Sequence, residues 1–457
     1  MTAAATAYLV HPATRPLSGQ VAIPGDKSIG HRALLFSLLT RGPVHIRGLG
    51  GGADNGRTAK AIVQLGARVE RDGDVVVVHG AGFGHLRAPE AAIDCGNSGT
   101  TIRLLTGLLA GQPFRSELFG DESLSKRPMK RVIEPLRAMG AIIDGPLGAG
   151  GDVVPPLTIS PAPERLRGRD HALTIASAQV KTALILAALS ARGPSKITEP
   201  GPSRDHTERL LAAMGAPIKA HGREVTVDPT GWDGMLDLPG GALTVPGDPS
   251  SSAFLVAAAL VAGASEVVCT GVCVNPTRTG FLDALTAMGA EIEWREPRDV
   301  GGEPVADLVV RGPAPALRAT EIAGDLTVRA IDEVPILAAV AARASGTTVV
   351  RDAEELRVKE SDRIATTVAM LRGFGVEAEA RPDGLAVHGA PGRPLAPARV
   401  DAAGDHRIAM AGTVLAMAGS APSRIDDVRN VATSFPSFVD VMRGLGATLE
   451  TIHDPGA

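Results

Sequence analysis

The chain has 457 residues, 44% of them hydrophobic and 21% charged, which is typical of a folded protein and enough for about three domain-sized units. Its net charge of −4 provides no overall attraction to nucleic acid or to an anionic membrane. Three cysteines cannot form a disulfide framework, and twelve aromatic residues (nine Phe, two Trp and one Tyr) leave few platforms for stacking bases. No secretory signal opens the sequence and its longest apolar run, 254–264, is too short to span a membrane, so we expect a cytoplasmic protein.

A glycine followed by an alternating segment recurs along the whole chain, as in LGARVE, MGAIID and LGATLE. Each copy ends an amphipathic helix with apolar residues at i, i+3, i+4 and i+7, and glycine suits the left-handed position just past a helix. The intervals of 74, 75, 74, 86 and 71 residues indicate six repeats of about 75 residues. The six glycines are Gly66, Gly140, Gly215, Gly289, Gly375 and Gly446.

A second helix in each repeat is apolar on nearly every side, as in QVKTALILAALS and SAFLVAAALVAG. A helix of this kind is buried, so three repeats that pack their buried helices together would form one domain. We therefore predict two three-repeat domains. The first is predicted to comprise 22–241 and the second 1–21 plus 242–457, with hinge crossings near 15–21 and at the Gly- and Pro-rich segment 238–249.

The segments that lead into the six buried helices are small, polar or charged: PGDKSIGHR, DCGNSGTTIR, ASAQVK, PGDPSSS, AIDEVP and AGDHRIAM. Helix capping explains many of these residues, and we interpret the serines at 250–252 as caps. Capping does not explain the basic residues Lys27, Arg32, Arg103 and Arg407, because the helix dipole disfavours cations at a helix N-terminus. A bound phosphate or carboxylate would account for them.

Further basic residues lie in segments that lead into the surface helices: Arg127 in SKRPM, Arg204 in SRDHTE, and Lys359 and Arg363 in KESDR. Their recurrence at equivalent repeat positions predicts a basic cleft between the two domains that holds small anions. Asp332 and Glu360 stand among these bases. Each of the two carboxylates can be an ion-pair partner or a general acid or base, and His406 is a third candidate.

Two other motifs point elsewhere and are weak. GLGGGA at 48–53 matches a dinucleotide-binding fingerprint with Glu70 at a suitable distance, but the preceding strand alternates polar and apolar residues and other repeats lack these glycines. Cys269 and Cys273 lack the spacing and the second ligand pair of a zinc site, and Cys95 is best explained as a small buried residue.

Taken together, the motifs resemble the enolpyruvyl transferase family, and within it the branch that acts on shikimate 3-phosphate. The resemblance implies an α/β fold, a two-domain inverted α/β barrel in which the domains close on the substrates. The motifs that carry it follow the family's order from Pro24 to Phe438: PGDKSIGHRALL, GNSGTTIRLL, SKRPM, ASAQVKTA, SRDHTE, IDEVPILA, LRVKESDRI, GDHRIAM and TSFPSF.

The resemblance also implies a reaction: transfer of the enolpyruvyl group of phosphoenolpyruvate to the 5-hydroxyl of shikimate 3-phosphate, with release of phosphate. Asp332 would accept the proton of the attacking hydroxyl, and Glu360 with Lys27 would handle the proton at the vinyl carbon. Lys27 would contact both substrates. The residues implied for shikimate 3-phosphate are Ser28, Arg32, Ser177, Ala178, Gln179, Arg204 and Lys359, and those for phosphoenolpyruvate are Gly99, Arg127, Gln179, Arg363 and Arg407.

On the same basis we expect no metal, no organic cofactor and no nucleic-acid partner, and a monomer. Thr433 stands where part of the family has Lys, so we assign it no contact, and the loop at 48–57 receives no role. Three alternatives remain. The sister enzyme that uses UDP-N-acetylglucosamine typically has a reactive Cys near 112–127, which this chain lacks; the others are a non-enzymatic anion- or RNA-binding repeat protein and a nicotinamide dehydrogenase.

Overall fold

The computed structural model describes residues 5–148, 150–312 and 316–453. Its strands are short because each repeat turns back on itself after a few residues. They are β1 (Ala7–Val10), β2 (Leu17–Ala22), β3 (Pro43–Arg47), β4 (Arg68–Asp72), β5 (Val75–His79), β6 (Ile93–Asp94), β7 (Ser116–Phe119), β8 (Ile142–Asp144), β9 (Leu157–Ser160), β10 (Asp170–Ala172), β11 (Ser195–Thr198), β12 (Ile218–His221), β13 (Glu224–Val227), β14 (Ala242–Thr244), β15 (Ala264–Cys273), β16 (Glu293–Val300), β17 (Glu303–Arg311), β18 (Glu321–Ile322), β19 (Gly346–Val350), β20 (Glu377–Arg381), β21 (Gly384–Gly389), β22 (Arg399–Asp401), β23 (Ser423–Asp426) and β24 (Leu449–Ile452).

Buried and surface helices alternate along the chain, with two additional short helices at Asp325–Ala330 and Val431–Ser434. Short 3-10 turns accompany them, and Ile331–Glu333 directly precedes a buried helix. The helices are α1 (Lys27–Ser37), α2 (Ala53–Gln64), α3 (Gly99–Leu109), α4 (Lys130–Ala138), α5 (Ala178–Ser190), α6 (His206–Ala213), α7 (Pro249–Ala262), α8 (Gly280–Ala287), α9 (Asp325–Ala330), α10 (Val334–Ala341), α11 (Arg363–Gly373), α12 (His406–Ala416), α13 (Val431–Ser434) and α14 (Phe438–Gly444).

The chain divides into two compact units. The middle unit comprises Gly25–Val245 and Val300–Glu303, and the terminal unit comprises Met1–Pro24, Pro246–Asp299 and Pro304–Ala457. In the middle unit the sheets have the strand orders β14-β3-β5-β4, β6-β7-β9-β8 and β10-β11-β13-β12. In the terminal unit they are β16-β17-β15-β2, β18-β19-β21-β20 and β22-β23-β1-β24.

Each sheet has one parallel pair at one edge, and its other pairs are antiparallel where their register is defined. Two parallel partners come from distant parts of the chain. β14 pairs with β3, so residues 242–245 belong to the middle unit and not to the second domain as the sequence boundary had it. Conversely, β2 pairs with β15 as far as Ala22, which places residues 22–24 in the terminal unit.

A second difference from the predicted boundaries is the turn at residues 300–303, which belongs to the middle unit. The buried His206 Nδ1 lies 2.7 Å from Glu303 Oε1. Arg209 Nη1 donates to the carbonyl oxygen of Gly302 at 3.2 Å. Both partners lie on α6, so these polar contacts, which no sequence periodicity reveals, hold the turn against that helix.

The repeated glycine ends six surface helices as predicted from the sequence. All six glycines have positive φ values, and at each one the residue after the glycine donates its N–H to a carbonyl five positions back, as Ala67 does to Ile62. This is the Schellman arrangement, which satisfies carbonyls that the helix leaves unbonded. The helices that end this way are α2, α4, α6, α8, α11 and α14.

The buried helices form the cores. In the terminal unit α7, α10 and α12 contact one another, and in the middle unit α3 packs on α5 and α1. Residues 180–189 of α5 and 249–261 of α7 are buried without interruption, which confirms the prediction from their all-round apolar sequences. Aromatic residues are scarce in this chain. Small residues at the helix contacts allow the helices to approach closely.

Gly107 lies at such an approach, since a Cβ placed there would lie 2.2 Å from the carbonyl oxygen of Ala183. We expect Gly107→Ala to lower the free energy of unfolding by about 1–3 kcal/mol, because α3 and α5 would have to separate. Gly56→Ala is the matched control: Gly56 also lies in a helix, is exposed, and has open space at its Cβ position. That variant should gain about 0.5–1 kcal/mol. Urea unfolding measures both, and equal effects of the two substitutions would contradict the packing argument.

Candidate active site

The predicted site residues fall into two sets. The middle cluster lies in the middle unit, on the first turns of α1, α3 and α5 and on the segments that precede α4 and α6. The terminal cluster lies in the terminal unit, around the starts of α10, α11 and α12. The middle cluster consists of Lys27, Ser28, Arg32, Gly99, Arg127, Ser177, Ala178, Gln179 and Arg204, and the terminal cluster of Asp332, Lys359, Glu360, Arg363 and Arg407.

In the middle cluster, the start of α1 is fixed by its cap. Asp26 Oδ1 accepts the N–H of Ile29 at 2.8 Å, which satisfies one of the free donors at this helix end. Lys27 Nζ lies 3.1 Å from Asp54 Oδ2. Asp54 belongs to segment 48–57, which was expected to be a loop without a role, but in the structure it lies on the first turn of α2. Arg204 Nη1 donates to Ser28 Oγ at 3.1 Å, so the segment before α6 and the start of α1 meet here.

Arg32 lies one turn further along α1 and is 2% exposed. Its Nε donates to Thr207 Oγ1 at 2.6 Å, its Nη2 to Thr182 Oγ1 at 3.0 Å and its Nη1 to the Ser28 carbonyl at 3.0 Å. Burial lowers its pKa to about 10, which leaves it charged at neutral pH. Each Nη carries two hydrogens, so Arg32 can hold Ser28 in place and still donate to a ligand.

The starts of α3 and α5 are linked by Gln179. Its Oε1 accepts from Arg103 Nη1 at 2.9 Å, and its Nε2 donates to Thr100 Oγ1 at 3.0 Å. Gly99 opens α3, and a Cβ there would lie 2.6 Å from Arg103 Nη1 and 3.1 Å from Arg127 Nη1. Glycine thus leaves space beside two guanidinium groups, which is what a close anion contact requires.

Ser177 caps α5 and is itself held by a buried ion network. Its N–H donates to Glu199 Oε1 at 3.2 Å, and Lys181 Nζ contacts both Glu199 and Glu208 at 2.6 Å. Burial would lower the pKa of Lys181, but Glu208 and Glu199 outweigh it and raise that pKa above its ordinary value. The charged lysine therefore fixes Glu199, and Glu199 fixes the backbone of Ser177.

The terminal cluster is centred on Arg363, which is 1% exposed. Its Nε donates to Asp405 Oδ2 at 2.7 Å, its Nη1 to Asp332 Oδ1 at 3.3 Å and its Nη2 to Glu360 Oε2 at 2.5 Å. The structure thus brings together both predicted catalytic carboxylates, and in this arrangement both are ion-pair partners of one arginine.

Two further bases surround Asp332. Lys359 Nζ lies 3.8 Å from Asp332 Oδ1, and Arg407 Nη2 lies 4.0 Å from Asp332 Oδ2. Arg407 Nη1 also donates to the backbone carbonyl of Asp332 at 2.9 Å. Asp332 lies in the 3-10 turn just before α10. Its position is fixed by cations on α11, on α12 and on the segment that precedes α11.

The electrostatics of the terminal cluster differ from the strongly basic site expected. Burial would lower the pKa of Arg363, but Asp405, Glu360 and Asp332 together raise it above its usual range. Burial would raise the pKa of Asp405, but the Arg363 guanidinium lowers it below its ordinary value. Carboxylates outnumber the cations here, because Lys359 and Arg407 also face Glu355 and Glu333.

Sequence reasoning missed most of the acidic and neutral partners of the bases. Glu355 precedes Lys359 by four residues and could have been found from that spacing. Asp405 was read within a capping segment, and Ser250 was assigned to capping alone, although both contact site arginines. Asn97, whose Oδ1 accepts from Arg127 Nη2 at 2.6 Å, has no sequence signal. His406, the third acid–base candidate, is 4% exposed on the first turn of α12.

His31 on α1 begins a chain of hydrogen bonds that joins three helices of the middle unit. Its Nδ1 lies 2.7 Å from Thr58 Oγ1, Thr58 Oγ1 lies 2.8 Å from Thr101 Oγ1, and Thr101 Oγ1 donates to Ser98 Oγ at 2.7 Å. Ser98 is the cap of α3. The chain therefore aligns the start of α3 with α1. Burial, together with Lys27 and Arg32, holds the pKa of His31 well below its ordinary value.

Two other features of the middle unit carry no part of the site. A surface cavity of about 570 Å³ is lined by arginines, but Arg165 and Arg169 there bond to carbonyl oxygens at the ends of α5 and α4. Asp205, His206 and Glu303 lie close enough to share a metal ion. However, His206 bonds to Glu303, and Asp205 accepts from Arg209 Nε at 2.8 Å. Both features are explained by contacts within the unit.

Comparison with known proteins shows the family of the chain. The family model described as EPSP synthase (3-phosphoshikimate 1-carboxyvinyltransferase) matches residues 12–442. The chain belongs to the EPSP synthase family, and the resemblance inferred from the motifs is confirmed. No helix of the described residues is long and apolar enough to cross a membrane.

Curated relatives and solved structures agree. A protein of Acidithiobacillus ferrooxidans named 3-phosphoshikimate 1-carboxyvinyltransferase is 48% identical over 97% of this chain and 99% of its own length. One with the same name from Anaeromyxobacter is 48% identical over 94% of this chain and 96% of its own. The EPSP synthase structure from Acinetobacter baumannii matches with a TM-score of 0.85 and 38% identity, covering 98% of this chain and all of that one. The predicted two-domain α/β fold is confirmed.

The lowered pKa of His31 predicts how the unfolding free energy depends on pH. Below about pH 6.5 the unfolded chain takes up a proton at this position that the folded chain does not, so the unfolding free energy falls as pH decreases. We expect His31→Gln, which retains a hydrogen-bonding group near Thr58, to reduce this slope by up to about 1.4 kcal/mol per pH unit. His221→Gln, at an exposed position, is the control and should leave the slope unchanged. Denaturant unfolding from pH 7.5 to 5 measures it, and parallel curves for wild type and His31→Gln would refute the argument.

Proposed function

We propose that this chain transfers the enolpyruvyl group of phosphoenolpyruvate to the 5-hydroxyl of shikimate 3-phosphate and releases phosphate. The near full-length match to relatives named 3-phosphoshikimate 1-carboxyvinyltransferase is the observation that carries this proposal. The grouping of Asp332, Glu360 and Arg363 around one point of the terminal unit supports it further. The sister reaction on UDP-N-acetylglucosamine receives no support from the names of these relatives.

The middle cluster supplies the groups for binding anions. Ser28 and Arg204, already bonded to each other, and Ser177, Ala178 and Gln179 at the start of α5 bind shikimate 3-phosphate in this proposal. Lys359 of the terminal cluster and Arg32 add positive charge for the same ligand. Gly99 and Arg127 bind phosphoenolpyruvate together with Arg363 and Arg407 of the terminal cluster, and Gln179 is shared.

The cations offset the cost of bringing two anions together. Two unit charges 4 Å apart attract by about 4 kcal/mol at an effective dielectric constant of 20. Several such contacts compensate for the repulsion of two phosphates and two carboxylates. Holding the hydroxyl against the vinyl carbon then removes much of the entropic barrier of a bimolecular reaction.

The terminal cluster, together with Lys27 of the middle cluster, supplies the groups for proton transfer. Asp332 accepts the proton of the 5-hydroxyl while the hydroxyl oxygen bonds to C2 of phosphoenolpyruvate. Glu360 with Lys27 delivers a proton to C3. In the second step the bond from C2 to the phosphate oxygen breaks, phosphate leaves with the proton that Asp332 accepted, and C3 returns its proton to Glu360. Contacts from Arg363 and Lys359 to Asp332 keep this carboxylate at a fixed place through both steps.

The reaction as proposed needs no metal and no organic cofactor, because the substrates themselves carry the leaving group. A monomer in the cytoplasm remains our expectation. The monomer can be checked by light scattering of the purified protein.

The first experiment is phosphate release from phosphoenolpyruvate by the purified chain, with shikimate 3-phosphate, with UDP-N-acetylglucosamine and with no acceptor. We expect release only with shikimate 3-phosphate. Release only with the sugar nucleotide would assign the chain to the sister reaction. Release with neither acceptor would refute the proposed activity while leaving the fold unaffected.

Asp332→Asn tests the general base. The amide preserves the shape of the side chain but cannot accept the hydroxyl proton, so we expect kcat to fall by roughly 10²–10⁴-fold with little change in either KM. The control is Asp325→Asn, an exposed carboxylate on α9 of the same unit, which should retain full activity. Steady-state kinetics with both substrates measures the effect. Near wild-type turnover by Asp332→Asn would end its assignment as the base.

A further inference from the structure

A buried hydrogen-bonded group lies behind Asp332 and Arg407 in the terminal unit. Ser250 Oγ is its centre: it donates to Glu333 Oε1 and accepts from Arg278 Nη2 at 2.9 Å and from Arg407 Nη2 at 3.3 Å. Arg278 Nη2 also donates to Asp248 Oδ1 at 3.1 Å. All five residues are at most 6% exposed, so water has little access to these bonds.

The serine hydroxyl uses its whole capacity in this group. A hydroxyl has one donor hydrogen and two acceptor lone pairs. Ser250 gives the hydrogen to Glu333 and one lone pair to each of the two arginines. Ser250 therefore orients two guanidinium groups, which would otherwise repel each other. The Glu333 carboxylate supplies compensating negative charge.

The contacts of Ser250 and Glu333 affect residues that the proposed reaction uses. Arg407 Nη1 lies 3.4 Å from Glu333 Oε1 and donates to the backbone carbonyl of Asp332 at 2.9 Å. Its Nη2 contacts Ser250 on one side and lies 4.0 Å from the Asp332 carboxylate on the other. Ser250 and Glu333 thus determine the orientation of the Arg407 guanidinium. That guanidinium in turn holds the backbone of the turn that carries Asp332.

We propose that Ser250 and Glu333 are positioning residues: through the guanidinium of Arg407 they set the binding of phosphoenolpyruvate and the placement of Asp332. This proposal rests on the proposed function, since it concerns a ligand of that reaction. Capping explains neither residue's contacts. Asp248, not Ser250, accepts the N–H that caps α7, and the Glu333 carboxylate accepts from Ser250 on another helix.

Ser250→Ala tests this proposal. It removes the acceptor of Arg407 Nη2, and we expect KM for phosphoenolpyruvate to rise roughly tenfold, equivalent to about 1.4 kcal/mol. KM for shikimate 3-phosphate should stay within about twofold, because the two arginines that lose a charge-assisted bond, Arg407 and Arg278, both lie in the terminal unit and the middle cluster is unchanged.

Ser252→Ala is the matched control. Ser252 is also buried on the first turn of α7, but its Oγ donates to the carbonyl of Pro249 at 2.9 Å. Its substitution removes one hydrogen bond within α7 and should leave KM for phosphoenolpyruvate unchanged. A similar rise of KM in both variants would mean that general packing of α7 is responsible, and it would overturn the proposal.

A double-mutant cycle separates positioning from direct binding. If Ser250 acts through Arg407, adding Ser250→Ala to Arg407→Ala should produce no further rise in KM for phosphoenolpyruvate. Independent, multiplicative effects of the two substitutions would overturn the proposal.

Glu333→Gln serves where Ser250→Ala does not fold, because the amide oxygen still accepts from Ser250 while the compensating charge is lost. It should also raise KM for phosphoenolpyruvate selectively, and an unchanged KM in this variant would overturn the role of Glu333. Wild-type inactivity with both substrates would refute the proposed function and this inference together. Wild-type activity with an unchanged KM in Ser250→Ala would refute the inference alone.

Discussion

Burial of positive charge at the starts of the apolar helices is the constraint on which both clusters depend. An arginine in the interior costs several kcal/mol unless oxygen atoms surround it. Arg32, Arg278 and Arg363 are each at most 2% exposed and find those oxygens on the first turns of buried helices or just before them. Within each unit, the helix starts must therefore lie close together and keep a fixed geometry. The same geometry is suitable for holding anionic ligands, so stability and binding have one structural origin here.

The two clusters satisfy this constraint with different chemistry. In the middle cluster Arg32 bonds to two threonine hydroxyls and a carbonyl, and Arg127 bonds to the amide oxygen of Asn97. Neutral acceptors fix the position of a cation without cancelling its charge, which leaves it able to attract a phosphate. In the terminal cluster Arg363 bonds to three carboxylates. Carboxylates that one arginine holds in place can accept or donate protons, so the terminal cluster offers acid–base groups beside its cations.

The repeat and the helix types could be predicted because each depends on local pattern, whereas the roles of the site residues came from resemblance to a family and remain predictions. The glycine after each surface helix and the all-round apolar helices follow from backbone geometry and burial, which sequence periodicity records directly. What could not be predicted depends on contacts distant in sequence. The pairing of β14 with β3 across about 200 residues moved a domain boundary, and the bond from Arg407 to Ser250 spans 157 positions. Some partners of buried bases come from other repeats, as Thr207 does for Arg32, and no spacing rule identifies these.

The start of α10 shows how the fold leaves a carboxylate available for chemistry. Among the six buried helices of the described chain, α1, α3, α5, α7 and α12 are capped by an Asp or Ser side chain that accepts a backbone N–H. No side chain caps α10 in this way, and a 3-10 turn containing Asp332 leads into it instead. Arg407 donates to the backbone carbonyl of Asp332 in that turn, and Ser250 on α7 donates to the carboxylate of Glu333 in the same turn. Because side chains from other helices fix this helix start, the carboxylate of Asp332 is not consumed in capping and can serve as a base.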